Sequence, residues 1–396
     1  MSMDFLEALE EQLVAATERG VRRRRWRWPW LMRIRLPLRA PTVGIAAGVG
    51  AALAASAIAA TLTQLPASKP KPVARTSAGA ATGAGARSFT TAGAVPAGFS
   101  PESFTAISEL TWWLLGIAPC GGHSCTTIVH TIDGGPSFTR IPAPPTSQVA
   151  NLRFGSLDDG YAFGQQLWST HDGGRNWARL QLGSTVDDLD ISGGRVYAIV
   201  SSRGHTQLMS SPLATDSWTR VAGLGGGHLS GLWAQGATVF VESGSHLLVS
   251  DDSGRSFRRV GGVRGAGDCA YDGGPQALWA LCSTGTAPDD ILLSTDSGNS
   301  FNAAAQVPDG PIDSFAAATA TVAVASGQGP LYVTSDAGAS WTPSSAPPAD
   351  WTYLGFTDAT HGVAIGQFGS DAGVSDGRLY YTTDGGASYH RVKFGP

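Results

Sequence analysis

The spacing of hydrophobic and polar positions divides the chain into unlike stretches. Behind Asp4 and Glu7, which have capping-box spacing, Phe5, Leu6, Leu9, Leu13 and Ala16 form a stripe, predicting a short amphipathic helix over 4–19. No charge occurs between Ala40 and Ser68, and within that gap residues 43–62 are apolar or small. As a helix they span about 30 Å, one bilayer core, and so predict a transmembrane helix. Its strongly apolar members are Val43, Ile45, Val49, Leu53, Ile58 and Leu62, with Ala, Gly, Ser and Thr between. Residues 63–100 are mostly Ala, Gly, Pro, Ser and Thr, cannot bury enough surface to offset chain entropy, and predict a flexible stalk. Beyond them the period changes to two: Asn151 to Phe154 and Gly160 to Gly164 alternate about a turn at Leu157-Asp158-Asp159, a β-hairpin pattern.

That hairpin belongs to a repeat. An eight-residue pattern of Ser/Thr, x, Asp, x, Gly, x, x, aromatic occurs six times. Its copies are Thr131-Asp133-Gly135-Phe138, Thr170-Asp172-Gly174-Trp177, Ser250-Asp252-Gly254-Phe257, Ser294-Asp296-Gly298-Phe301, Thr334-Asp336-Gly338-Trp341 and Thr382-Asp384-Gly386-Tyr389. A decayed copy keeps Ser211 and Trp218 but has Leu213 and Thr215 in place of Asp and Gly. The first residues fall at 131, 170, 211, 250, 294, 334 and 382, so seven units of similar length fill residues 101–396. Four short strands per unit predict an all-β, seven-bladed β-propeller, each blade whole within one repeat. Adjacent Trp112 and Trp113 then face opposite sides of one sheet and pack against two different neighbours.

These repeats resemble the Asp-box, or BNR, propellers. The sequence Phe-x-x-x-x-x-Gly-x-Ala-x-Gly followed by Thr-x-Asp-Gly-Gly-x-x-aromatic is most similar to photosystem II assembly factor-like BNR proteins, and also resembles sialidase and sortilin repeats. The resemblance implies that the motif forms the turn between the third and fourth strands of each blade. In such a turn Asp accepts backbone N–H bonds, Gly admits positive φ, and the aromatic packs between blades. The motif residues are thus expected to serve the fold; one carboxylate per blade, dispersed round a ring, cannot converge on a metal. Asp371 and Asp376, in the long loop of the last blade, are expected to be solvated acids.

Charge adds topology. The net charge of −4 conceals 14 basic against 26 acidic side chains in residues 101–396, while the first 100 residues are basic. An acidic body repels phosphate backbones, which argues against nucleic acid as a partner. Arg22 to Arg25, Arg27, Arg33, Arg35 and Arg39, interleaved with Trp26, Trp28 and Trp30, precede the span and by the positive-inside rule hold residues 1–42 in the cytoplasm. The propeller is then extracytoplasmic, on a single-pass anchor.

The four cysteines fit an oxidising compartment. Local pairing is favoured, Cys120 with Cys125 in one loop and Cys269 with Cys282 across a hairpin, although Cys120, His123 and Cys125 also suit a metal reading. No catalytic, cofactor or metal residues are assigned. Arg140-Ile141-Pro142 echoes a sialidase motif but follows the first box instead of preceding it, and no Tyr/Glu/Asp set is evident from spacing. Single histidines such as His171 and His246 read as turn and surface residues. The leading expectation is a non-catalytic module that binds or assembles a protein or glycan partner, the alternative a sialidase-like glycoside hydrolase.

Overall fold

Strands with consecutive buried side chains, as from Val196 to Val200, need cover on both faces, and a ring of sheets supplies it, each covering the next. A computed structural model of the protein describes residues 93–394 apart from 223, 225–227, 245, 261–268, 275, 283–289, 309–311, 327 and 369–375. The expected amphipathic helix, basic segment, transmembrane helix, stalk up to residue 92 and Asp371 lie outside the described residues. Among those described, no helix is long and apolar enough to cross a membrane.

Seven antiparallel sheets follow one another: blade 1 (100–141), blade 2 (149–180), blade 3 (185–220), blade 4 (229–259), blade 5 (269–303), blade 6 (314–343) and blade 7 (349–391). Each is built from its own four strands in sequence order, the expected arrangement, and blade 7 gains a two-residue edge strand, Gln328–Gly329, on Ala349 and Asp350. Among the described residues no strand passes between the terminal blades. The seam closes by side chains instead: Gly377 N–H donates to Ser100 Oγ (2.9 Å), and Phe394 packs edge-on against Phe99 and Phe138, each 5.1 Å between ring centres. The sequence places residues 93–100 in the stalk, yet Phe99 is buried and Gly93 exchanges two backbone bonds with Arg140. A phenylalanine among small residues such as Ala97 and Gly98 escapes a compositional reading.

The core is seven interfaces instead of one centre. Trp112 packs with Val363, Ile365 and Leu379 of blade 7, and Trp113 with Val149, Leu152 and Phe154 of blade 2, on opposite faces of the same strand. Trp113 stacks on Phe154 at 4.1 Å between ring centres. Both disulfides are local, Cys120 to Cys125 and Cys269 to Cys282.

Trp113→Ala is expected to leave a cavity between blades 1 and 2 that costs about 3–5 kcal/mol. Urea unfolding monitored by far-UV circular dichroism measures it, and a wild-type midpoint would contradict this packing.

Candidate functional site

The repeated acids are the first place to look for chemistry, and the turns themselves account for them. In all six complete motifs the Ser or Thr hydroxyl donates to one carboxylate oxygen of the Asp and accepts from the N–H of the fifth-position glycine; in the first motif these are Thr131 to Asp133 (2.6 Å) and Gly135 to Thr131 (3.2 Å). That glycine has φ between 79° and 105° throughout, a region closed to most side chains. The seventh residue, which the sequence pattern left open, is Ser137, Asn176, Ser256, Ser300, Ser340 or Ser388, and binds both oxygens of the same Asp, through its backbone N–H and its side chain. The recurrence of Ser or Asn just before the aromatic was the available signal. Bonds from Ser300 and Ser340 hold Asp296 and Asp336 down at about 2, well below the ordinary carboxylate range. The aromatic of each motif packs toward the preceding blade, as when Trp177 and Trp341 donate indole N–H bonds to Pro142 and Ala305 carbonyls (3.0 and 2.9 Å).

The decayed turn of blade 3 uses its acid differently. Asp216 reaches into blade 2, where Ser169 Oγ donates to it at 2.8 Å and Tyr161 Oη at 3.3 Å. His171 bridges it to Asp159, Nδ1 2.8 Å from Asp159 and Nε2 3.2 Å from Asp216. Partial burial pulls the His171 pKa down, but bonds to the two carboxylates outweigh it and raise the pKa.

The second concentration of acids faces the central channel. The first strand of a blade is a sheet edge there, except where Gln328–Gly329 pairs with blade 7, so its N–H groups lack a ladder partner. In blades 2, 4 and 6 side chains of the preceding blade accept them: Ser103 and Thr105 from Leu152 and Phe154 (both 3.1 Å), Asp188 and Asp190 from Leu232 and Ala234 (2.9 and 2.7 Å), and Asp272 from Ala317 (2.8 Å). Blade 4 has Gly231 on its first strand. Through that gap Glu242 of its second strand accepts from Tyr271 N–H in blade 5 and from Ser230 Oγ (3.2 Å), and a Cβ at 231 would lie 2.5 Å from the Glu242 carboxyl carbon. Burial pushes Asp188 up to about 6, against the pull of Arg153 and helped by Asp190, and pushes Glu242 up to about 7. These acids act across blades some 40 residues apart in sequence, and spacing within a repeat does not reveal them.

Sugar chemistry finds little support in this arrangement. Glu242 does lie beside a tyrosine, but the Tyr271 ring packs with Trp233 and Phe301 between blades, and burial with the charge of Glu242 drives its phenol up to about 12, the wrong direction for a nucleophile. Arg140 sits on the outer strand of blade 1, paired with Gly93. The cavity lined by Tyr271, Asp272, Ser314 and Phe315 is about 180 Å³, below the roughly 300–1,000 Å³ of ligand pockets. Cys120 and Cys125, which the metal reading needs as thiolates, are joined to each other. Glu109 of blade 1 and Asp358 and His361 of blade 7 bring ligand-type atoms within 4.8 Å across the seam, where His361 Nδ1 is 2.9 Å from Asp358 and its Nε2 4.0 Å from Glu109. Asp376 pairs with Arg378, whose guanidinium carbon lies 4.4 Å from the Phe368 ring centre.

No family model and no curated protein matches the sequence. Solved structures share the fold. YCF48 bound to a D1 peptide is similar at 16% identity and a TM-score of 0.54, over 74% of this chain and 96% of that one. The β-propeller domain of the trilobed protease from Pyrococcus furiosus, which has an open velcro topology, is similar at 8% and 0.53, over 74% and 98%. An oligogalacturonate lyase in complex with manganese is similar at 12% and 0.52, over 69% and 86%. At such identities the likeness establishes a propeller and leaves function to the residues.

The raised acid at 242 has a signed consequence. Its folded pKa lies above the unfolded value near 4.5, so its stabilising share is complete below pH 4.5 and is lost as pH rises through about 7. Glu242→Gln keeps an acceptor for Tyr271 without the charge. It is expected to flatten the stability profile between pH 4.5 and 7 and to gain about 2 kcal/mol over the native chain at pH 8. Urea midpoints across pH measure this, and parallel profiles for the two proteins would refute it.

Proposed function

We propose that the chain is a non-catalytic propeller, anchored by residues 43–62 and held outside the cytoplasm, that binds or assembles a protein partner. The observation that carries this reading is the commitment of the concentrated carboxylates to backbone N–H groups: box acids cap their own turns, and channel acids hold the next blade. A catalytic acid or base needs a proton position free to face substrate, and these oxygens face the fold. The box residues, from Asp133, Gly135 and Phe138 through to Asp384, Gly386 and Tyr389, accordingly belong to folding and not to a reaction.

Support for a protein partner comes from YCF48, a propeller of similar fold that has been seen with a bound peptide. It agrees in fold with the photosystem II assembly factor-like style of the repeats. A glycan remains the second class of partner that a disc of loops accommodates. The two disulfides support an oxidising compartment, and the arginines before residue 43 support an N-in orientation.

Protease added to intact cells is expected to digest the propeller, and alkylation under non-reducing conditions to find no free thiol. A protected propeller or four reactive cysteines would overturn the topology. The full chain is expected to leave a fluorogenic sialoside unhydrolysed; turnover abolished by Arg140→Ala would overturn the non-catalytic reading.

A further inference from the structure

Each blade brings two turns together at one end of the disc. The turn between its first two strands accepts an N–H bond from the box turn, as Leu110 carbonyl does from Gly134 in blade 1 and Asp158 carbonyl from Gly173 in blade 2, both 2.9 Å. The same pairing recurs in blade 7, from Gly385 to Thr360. This end therefore presents a double row of turns, and its composition varies round the ring.

The exposed large hydrophobic side chains among the described residues are Ile107, Leu110, Ile132 and Leu157, the last three at 51%, 68% and 59% exposure. All four belong to these turns, and all lie in the adjacent blades 1 and 2. Their counterparts elsewhere are small or polar: where blade 1 has Ile132, the other complete boxes have His171, Asp251, Thr295, Ser335 and Thr383. Where blade 1 has Ile107 and Leu110, blade 7 has Thr357 and Thr360, and Leu157 corresponds to Ala359. Turn geometry thus does not require apolar residues here. Singly exposed apolar side chains are ordinary; four on one end of two neighbouring blades form a patch, and such patches mark interaction surfaces.

The charges around the patch select its occupant. Glu109, Asp133, Asp158 and Asp172 in the same turns, with Asp358 across the seam, outnumber the cationic side chains there, Arg175 and the histidines His171 and His361. We propose that the box end of blades 1 and 2 is the docking surface for a polypeptide segment that presents apolar side chains flanked by lysine or arginine. Its apolar groups cover Ile132, Leu110 and Leu157, and its cations meet the acidic rim. An anionic bilayer would be repelled by that rim. This rests on the reading of the propeller as a binding module and names the face and the chemistry of the partner.

The test is a random peptide display selection against the full chain held in zwitterionic nanodiscs, with empty nanodiscs used to remove lipid-binding clones. Recovered peptides are expected to combine apolar and basic residues and to bind more weakly at high salt. Ile132→Glu with Leu157→Glu, both at exposed positions, should weaken them at least tenfold and leave the melting temperature in place. Arg203→Glu with His205→Glu, on the opposite end of the disc, should leave binding unchanged. Loss of binding only in the second pair would overturn the face while preserving the binding-module reading, whereas no enrichment of any peptide would count against that reading itself. Acidic or uncharged selected peptides would overturn the partner chemistry. Binding of phosphatidylglycerol vesicles to the native chain, abolished by the first pair, would replace the polypeptide with a membrane surface.

Discussion

The unpaired inner edge of each sheet is the constraint on which the ring depends. A blade of four antiparallel strands satisfies its backbone internally except along the strand facing the channel, where a row of N–H groups is left. In blades 2, 4, 5 and 6 side chains from the preceding blade accept such bonds, and the acceptors need only an oxygen: hydroxyls of Ser103 and Thr105, carboxylates of Asp188, Asp190 and Asp272, and Glu242 reaching past Gly231. The seam is bonded differently: there Ser100 of blade 1 accepts from Gly377 on the third strand of the last blade. A ring in which, among the described residues, no strand joins the terminal blades thus has polar stitching inside and aromatic packing further out.

Charge is the cost of this solution. Burial disfavours ionisation of both Asp188 and Asp190, Arg153 offsets only part of that penalty, and the charge of Asp190 adds to it at Asp188. Such groups share the raised pKa of active-site acids and differ in where their oxygens point. The box acids show the converse. Their pKa values are depressed by bonds inside an exposed turn, so their perturbation reflects local capping.

Once channel and boxes are assigned to the fold, the functional question moves to the turns, whose backbone is fixed while their side chains are free to vary. Position two of the box illustrates this: it is outside the hydrogen-bond set, and it holds Ile132 in one blade and His171 in the next. Blades 2 and 3 use that freedom for structure, joining His171 to Asp159 and Asp216, whereas Ile132 makes an exposed apolar point.

The sequence by itself determined the repeat, the number of blades, the box turns and the opposite facing of Trp112 and Trp113, because these follow from period and from contacts within a few residues. It also favoured both disulfides, since each pair is close in the chain. Tertiary structure alone decided what crosses from blade to blade: the acceptors for each inner edge, the redirection of Asp216 into blade 2, the use of Gly231 as a passage for Glu242, and the inclusion of Phe99 in the seam. Those contacts join residues some 40 positions apart, or 277 at the seam, so no local pattern encodes them. They exist only when the ring closes and brings one repeat's side chains to the next repeat's backbone.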